Sequence, residues 1–139
     1  MKIERSGLIP FHVEDGQIKM MFMQPSDPLY GGPDFQIAKG KIEVGESELE
    51  TAIRESNEEL GLRQDNILHT FYCGKFLGRT HVFAAIVQNK EDFDDFDNET
   101  GAVKWMTLAE FLYSGRDIHH DVVQAAYDEI VGVHLSDQL

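Results

Sequence analysis

A chain of 139 residues is long enough for one sheet-and-helix core and too short for two ordinary domains, so residues 1–139 read as a single domain. Apolar residues at 42% and aromatic residues at 10% allow enough burial to offset chain entropy, which excludes a disordered chain. With 25 Asp and Glu against 12 Lys and Arg, the net charge of -13 excludes a general surface for nucleic acid or anionic membrane, and an anionic substrate would need a cation such as a divalent metal held by carboxylates.

In chain order, Gly7 to Val13 and Gln17 to Gln24 flank Glu14-Asp15-Gly16 and predict a β-hairpin with Gly16 at positive φ. The run from Pro25 to Pro33 holds too many breakers for regular structure and reads as a substrate-side surface loop. Phe35-Gln36-Ile37 reads as a short strand and Lys39-Gly40-Lys41 as a tight passage after it. Ser47 followed by Glu50 is a capping-box pattern opening a helix to Leu60, and Gly61 ends it. Ile67 to Leu77 and Thr80 to Gln88 read as strands around Gly78, with Val103 to Met106 a further short strand beyond an acidic loop. Thr107 with Glu110 forms a second capping box opening a helix to Tyr113, and Ile118, Val122, Ala126, Ile130 and Val133 mark an amphipathic C-terminal helix. The single Cys73 reads as a core position in a strand, with no internal disulfide open to it. No apolar run reaches the ~20 residues of a membrane span and the N-terminus is charged, so a cytoplasmic protein without membrane partners is expected.

The central helix carries the chemistry. At ~100° per residue, Glu55, Glu58 and Glu59 share one face, with Glu48 close to the same line. Leu49, Ile53, Ser56 and Leu60 centre on another side, so the acids are expected to point away from the core. Like charges at i and i+4 destabilise a helix by roughly 0.2–0.5 kcal/mol per pair, a cost that a bound cation removes. From the helix alone two readings stay open, a solvated acidic face and a metal-binding face.

The wider pattern separates them. Gly40, five residues, Glu46, seven residues, then Arg54-Glu55-Ser56-Asn57-Glu58-Glu59-Leu60-Gly61-Leu62 resembles the Nudix hydrolase signature G-x5-E-x7-R-E-U-x-E-E-x-G-U, where U is bulky and aliphatic. Ser56, at the first U, is the one departure, and its hydroxyl is expected to bond back to the Ala52 carbonyl. Outside the box, Phe35 to Gly40 is similar to the entry strand of the dinucleoside-polyphosphate and RNA pyrophosphohydrolase branches, with Ala38 where those carry proline. Glu99, six residues before Trp105, resembles the additional catalytic glutamate of the dinucleoside tetraphosphate hydrolases.

The resemblance implies an α/β fold, a Nudix α/β/α sandwich around a central mixed sheet. It implies that Glu55, Glu58 and Glu59, with the Gly40 carbonyl, ligate Mg2+ or Mn2+. Arg54 would orient those ligands through Glu46 or Glu58, and the general base would be Glu59 or, preferred here, Glu99. Lys39, Lys41, Lys75 and Arg79 are the cations best placed to meet phosphates the metal leaves uncovered, although on a protein surface ordinary solvated charge is the favoured reading of each. Tyr30, Phe35 and Tyr72 are candidates to stack on a base and are otherwise packing residues. His119-His120 lacks a metal-ligand partner at suitable spacing and reads as surface at a helix start.

The expected substrate is a small nucleotide derivative with a diphosphate linkage, first a dinucleoside polyphosphate such as Ap4A. ADP-ribose or an NDP-sugar follows, and the 5′ end of an RNA is the one nucleic-acid alternative. No tyrosine or proline stands at Leu77 to Thr80, where substrate-marking residues would be sought. Outside the enzyme class, a Nudix fold that senses a nucleotide without cleaving it is the alternative, and the chain is expected as a monomer or homodimer.

Overall fold

The structure, a computed structural model, describes the backbone of residues 3–135 and the side chains of 3–132. Six strands form one mixed sheet: β1 (Arg5–Glu14), β2 (Gln17–Pro25), β3 (Ala38–Lys41), β4 (Ile67–Phe76), β5 (Thr80–Val87) and β6 (Thr100–Met106). Their order is β4-β5-β1-β2-β6, with β3 also pairing with β1. The β1–β5 pair is parallel and the other pairs are antiparallel.

The predicted hairpin forms with Glu14 opposite Gln17, and Asp15 and Gly16 turn at φ 53° and 75°. The prediction around residue 38 needs correction. Phe35 and Gln36 make only isolated bridges, to Gly115 and Met23, whereas the segment read as a tight passage is strand β3, laid along β1 with Gly40 opposite Ser6 and Lys39 opposite Gly7. Pairing with a distant strand outweighs the local weakness of a glycine between lysines.

Helix α1 (Glu48–Leu60) begins at Ser47, where both halves of the capping box are present, and ends at Gly61 in the left-handed region at φ 79°. A side chain at Gly61 would also run into the Asp94 carbonyl. Helix α2 (Leu108–Ser114) repeats the device with Thr107 and Glu110. The last helix is shorter than its periodicity predicts: a 3-10 turn over Asp117–His119 precedes α3 (His120–Glu129), and a π turn follows from Ile130 to Leu135. Val122, Ala126 and Ile130 are buried as expected, Ile118 is exposed in the 3-10 turn, and the Val133 side chain lies outside the described residues.

Alternation in β1 sends Leu8 to one sheet face, against Ala52 of α1, and Ile9 and Phe11 to the other, against Phe111 of α2 and Val122 and Ala126 of α3. Burying such side chains contributes roughly 1.5–3 kcal/mol each, enough to fix both helical layers on the sheet. The α/β/α sandwich is as expected. Cys73 is half-buried at the edge of the larger core, and burial pushes its thiol up to about 11. No helix among the described residues is long and apolar enough to cross a membrane.

Candidate active site

Helix α1 lies across β3, and the glycine in that strand decides how closely. A Cβ at Gly40 would collide with the Glu55 carboxyl group, so the carboxylate rests in the space that only glycine leaves open. Ser6 in the neighbouring strand donates its hydroxyl to the Glu48 carbonyl at 2.6 Å and fixes the start of the helix on the sheet.

The three glutamates are not equivalent, contrary to the single outward face drawn from helix geometry. Glu59 is buried at 9% exposure and accepts the Lys39 backbone N–H at 3.2 Å. The Glu55 side chain is 13% exposed and that of Glu58 is 43% exposed. Burial, then the charge of Glu55, pushes the Glu59 carboxyl up to about 8. Burial and then Glu58 raise Glu55 as well. Glu48, on the expected line of acids, is exposed.

Arg54 is the cation among these acids. Its Nε and Nη2 donate to the two Glu46 oxygens at 2.8 and 3.0 Å, a bidentate fork, and its Nη1 donates to Glu55 at 2.9 Å. Glu58 is more distant at 3.4 Å, so Glu46 is the principal partner of the two that the sequence left open. Hydrogen bonds from Arg54 and then from the Thr51 hydroxyl hold the Glu46 carboxyl down at about 2. Nη2 also reaches the Lys41 carbonyl at 3.3 Å, tying helix to strand. The Ser56 hydroxyl bonds to the Ile53 carbonyl at 2.9 Å rather than to that of Ala52, and the residue is fully buried. A small side chain is accommodated there because the helix packs closely on the sheet.

The acidic loop is docked on the end of α1. The backbone N–H of Asp94 donates to the Gly61 carbonyl at 2.7 Å, that of Asp97 to the Glu58 carbonyl at 2.8 Å, and the Thr100 hydroxyl to the Glu59 carbonyl at 2.8 Å. These bonds satisfy carbonyls that a helix C-terminus leaves without partners. They also bring exposed Glu99 close enough that its charge helps to raise Glu59. Buried Asn66 anchors the far end of the loop through the Asn89 and Asp92 carbonyls, each at 2.9 Å.

The remaining predicted residues are scattered. Lys39 is half-buried, and burial pulls its ammonium down to about 8. Lys41 and Arg79 are exposed, and Lys75 is taken up by an ion pair with Glu4 at 3.3 Å. Tyr30 is exposed in the loop after β2, Phe35 packs against the core, and Tyr72 lies half out of the sheet with its ring 5.2 Å from Phe83 and its hydroxyl 2.9 Å from His81. His119 is not the surface residue expected. It is 1% exposed, and its Nδ1 accepts the Ile37 N–H at 3.3 Å. A concavity of about 830 Å³ runs along the outer flank of α1 past Glu46, Arg54 and Arg63 and includes neither Glu55 nor Glu59.

Among the described residues no three His, Cys, Asp or Glu side chains stand close enough together to hold a metal ion as they are oriented. The donor set nonetheless fits a hard divalent ion in kind. Glu55 and Glu59 are carboxylates held near each other in a poorly solvated place, and both are shifted towards the protonated form that a cation would oppose.

Residues 5–126, which span this whole arrangement, match the NUDIX domain family. The chain belongs to it. This Nudix hydrolase is an enzyme acting on pyrophosphate bonds, and members of the family generally need divalent metal ions. Solved structures with the same fold include an Ap4A hydrolase of C. elegans in a binary complex, 20% identical with a TM-score of 0.73 over 94% of this chain and 99% of that one. The NUDIX domain of Shewanella oneidensis NrtR, complexed with ADP ribose, is 16% identical with a TM-score of 0.72 over 94% and 89%. A structure from a study of MutT in Aliivibrio salmonicida and Vibrio cholerae is 18% identical with a TM-score of 0.67 over 91% and 98%.

Proposed function

We propose that this Nudix hydrolase cleaves a diphosphate linkage in a nucleoside diphosphate joined to a second moiety, with dinucleoside polyphosphates such as Ap4A as the leading substrates. The observation that carries the reading is the pair of half-buried Glu55 and buried Glu59 beside Gly40, flanked by Arg54, with the Glu99 turn docked on the same helix end. Glu55, Glu58 and Glu59 with the Gly40 carbonyl would hold Mg2+ or Mn2+. Such an ion, when bound, neutralises charge developing on the diphosphate oxygens and lowers the pKa of water.

Arg54 keeps Glu55 and Glu46 in fixed orientation and does not touch substrate. Glu99, on the exposed side of the site, takes the proton of the water that attacks phosphorus as the bridging P–O bond breaks. Glu59, held by the Lys39 N–H, is the alternative base. Lys39, Lys41 and Arg79 meet the outer phosphates, and Tyr30, Phe35 or Tyr72 stacks on a base. The fold shared with an Ap4A hydrolase supports the leading substrate, and the ADP ribose bound to the NrtR domain supports ADP-ribose as the second.

A panel of Ap4A, Ap3A, ADP-ribose, NADH, UDP-glucose and (d)NTPs with Mg2+ or Mn2+, with products identified, tests the reading. Conversion of Ap4A to mononucleotides is the expected result. Preferential cleavage of ADP-ribose would move the assignment to the second substrate. Tight nucleotide binding without hydrolysis of any compound would make the chain a sensor.

A further inference from the structure

On the sheet face opposite α1, the structure gathers positive charge that the chain as a whole lacks. Arg5 and Gly7 share the face of Ile9 and Phe11, and Lys39, opposite Gly7, lies on that face too. The Arg5 N–H donates to the Arg79 carbonyl at 2.9 Å, placing those two residues together at the strand ends. The charges of Arg5, Arg116 and Arg79 all act on Lys39. Among the described residues none of these four cations has a carboxylate within 4.0 Å. The Glu59 charge also acts on Lys39, without an ion pair between the two side chains.

His119 belongs to the same cluster, since the charges of Lys39 and Arg116 act on its ring. Its Nδ1 accepts the Ile37 N–H, so in the neutral ring the proton sits on Nε2. That Nε2 is buried and has no hydrogen-bond partner among the described residues, and Arg5 Nε is in the same state. A buried donor left unpaired costs about 1–3 kcal/mol, which makes it a feature in need of a ligand. Arg116 crosses to the Gln36 Oε1 at 2.7 Å, the one side-chain acceptor it holds among the described contacts.

We propose that this cluster is a phosphate subsite, in which His119 donates Nε2–H to a phosphoryl oxygen while Lys39 and Arg116 supply the charge. The inference rests on the diphosphate-cleaving reading above. It adds that the substrate carries a phosphate beyond the scissile linkage, bound one residue along β3 from Gly40. Because Nε2 is closed to solvent, binding involves a rearrangement, and the Arg116–Gln36 bond is the contact for which an arriving anion competes. A phosphate group is favoured over a base because the donor stands among several cations.

The test uses the full chain with 15N-labelled histidine in EDTA, titrated separately with inorganic pyrophosphate and with adenosine. Pyrophosphate should shift the His119 Nε2–H signals and adenosine should leave them in place. The His119→Asn variant keeps an acceptor for the Ile37 N–H in its Oδ1 and takes the donor away from the Nε2 position, since the shorter carboxamide carries its N–H groups on Nδ2, and it should bind pyrophosphate about tenfold or more weakly. Unmoved His119 signals, a shift caused by adenosine alone, or a folded His119→Asn protein binding pyrophosphate within twofold of wild type would each overturn the subsite. Should the variant fail to fold, the wild-type titration decides alone. The titration needs no turnover, so an enzyme that hydrolyses Ap4A without a His119 response sinks only the subsite. Absence of all hydrolysis sinks only the reading of function.

Discussion

Replacing Glu59 with Gln should make the metal-free protein more stable, and by an amount set by pH. In the fold the Glu59 carboxyl is pushed from 4.5 up to about 8, chiefly by burial and next by Glu55. The native state therefore binds the proton more tightly than the unfolded chain does. Stability from this group is fully present below pH 4.5 and is lost as pH rises towards about 8. A shift of that size corresponds to at most about 4–5 kcal/mol, at 1.36 kcal/mol per unit. Glutamine keeps an oxygen to accept the Lys39 N–H and has no charge to bury. Urea unfolding in EDTA between pH 4 and 8 should thus show the Glu59→Gln protein gaining on wild type from about pH 5, with a plateau of a few kcal/mol near pH 8. Lys39, also pulled down to about 8, contributes in the opposite sense between about 8 and 10.5, and because the Glu59 charge acts on it, the two proteins are compared below pH 8, where Lys39 stays charged in wild type. Adding Mg2+ should raise wild-type stability more than that of the variant. Parallel pH profiles for the two proteins would show that Glu59 is solvated like an ordinary surface acid and would refute the reasoning.

Gly40→Ala drives a methyl group into the Glu55 carboxylate, so turnover should fall about a hundredfold while stability drops by roughly 1–3 kcal/mol. Activity within threefold of wild type would mean that Glu55 can be displaced without consequence. Glu99→Gln should slow turnover by about 10²–10⁴ if the residue is the base, and turnover within about twofold would remove it from the catalytic set. Asn66→Ala deletes two bonds to the Asn89 and Asp92 carbonyls and one from the Asn89 N–H, at a cost of about 2–3 kcal/mol. Hydrogen exchange should quicken first at residues 89–93, and uniform quickening across the sheet would argue against a local anchor.

What the sequence revealed most plainly is what adjacent residues decide. The capping boxes at Ser47 and Thr107 and the left-handed Gly61 depend on neighbours within a turn, and all formed as read. Strand β3 was not legible, because Ala38–Lys41 has no strand character of its own and acquires it from the ladder with Arg5 to Leu8. The three glutamates looked alike on a helical projection, but among them Glu59 is the one that accepts a backbone N–H of β3, and that contact between residues 39 and 59 separates its chemistry from that of Glu58.

The basic cluster was hidden for a related reason. Its members come from positions 5, 39, 79, 116 and 119, so no window of sequence contains it, and a net charge of -13 argues against looking for it. His119 beside His120 gave no sign of burial, since its contact with Ile37 spans 82 residues. The two sides of the site are joined within β3. Alternation turns Gly40 towards α1 and its acids, and turns Lys39 towards the opposite face and its cations. One short strand thus divides the work between a metal-seeking face and an anion-seeking face. A substrate that is both polyanionic and metal-chelating is the kind of molecule that would need the two together.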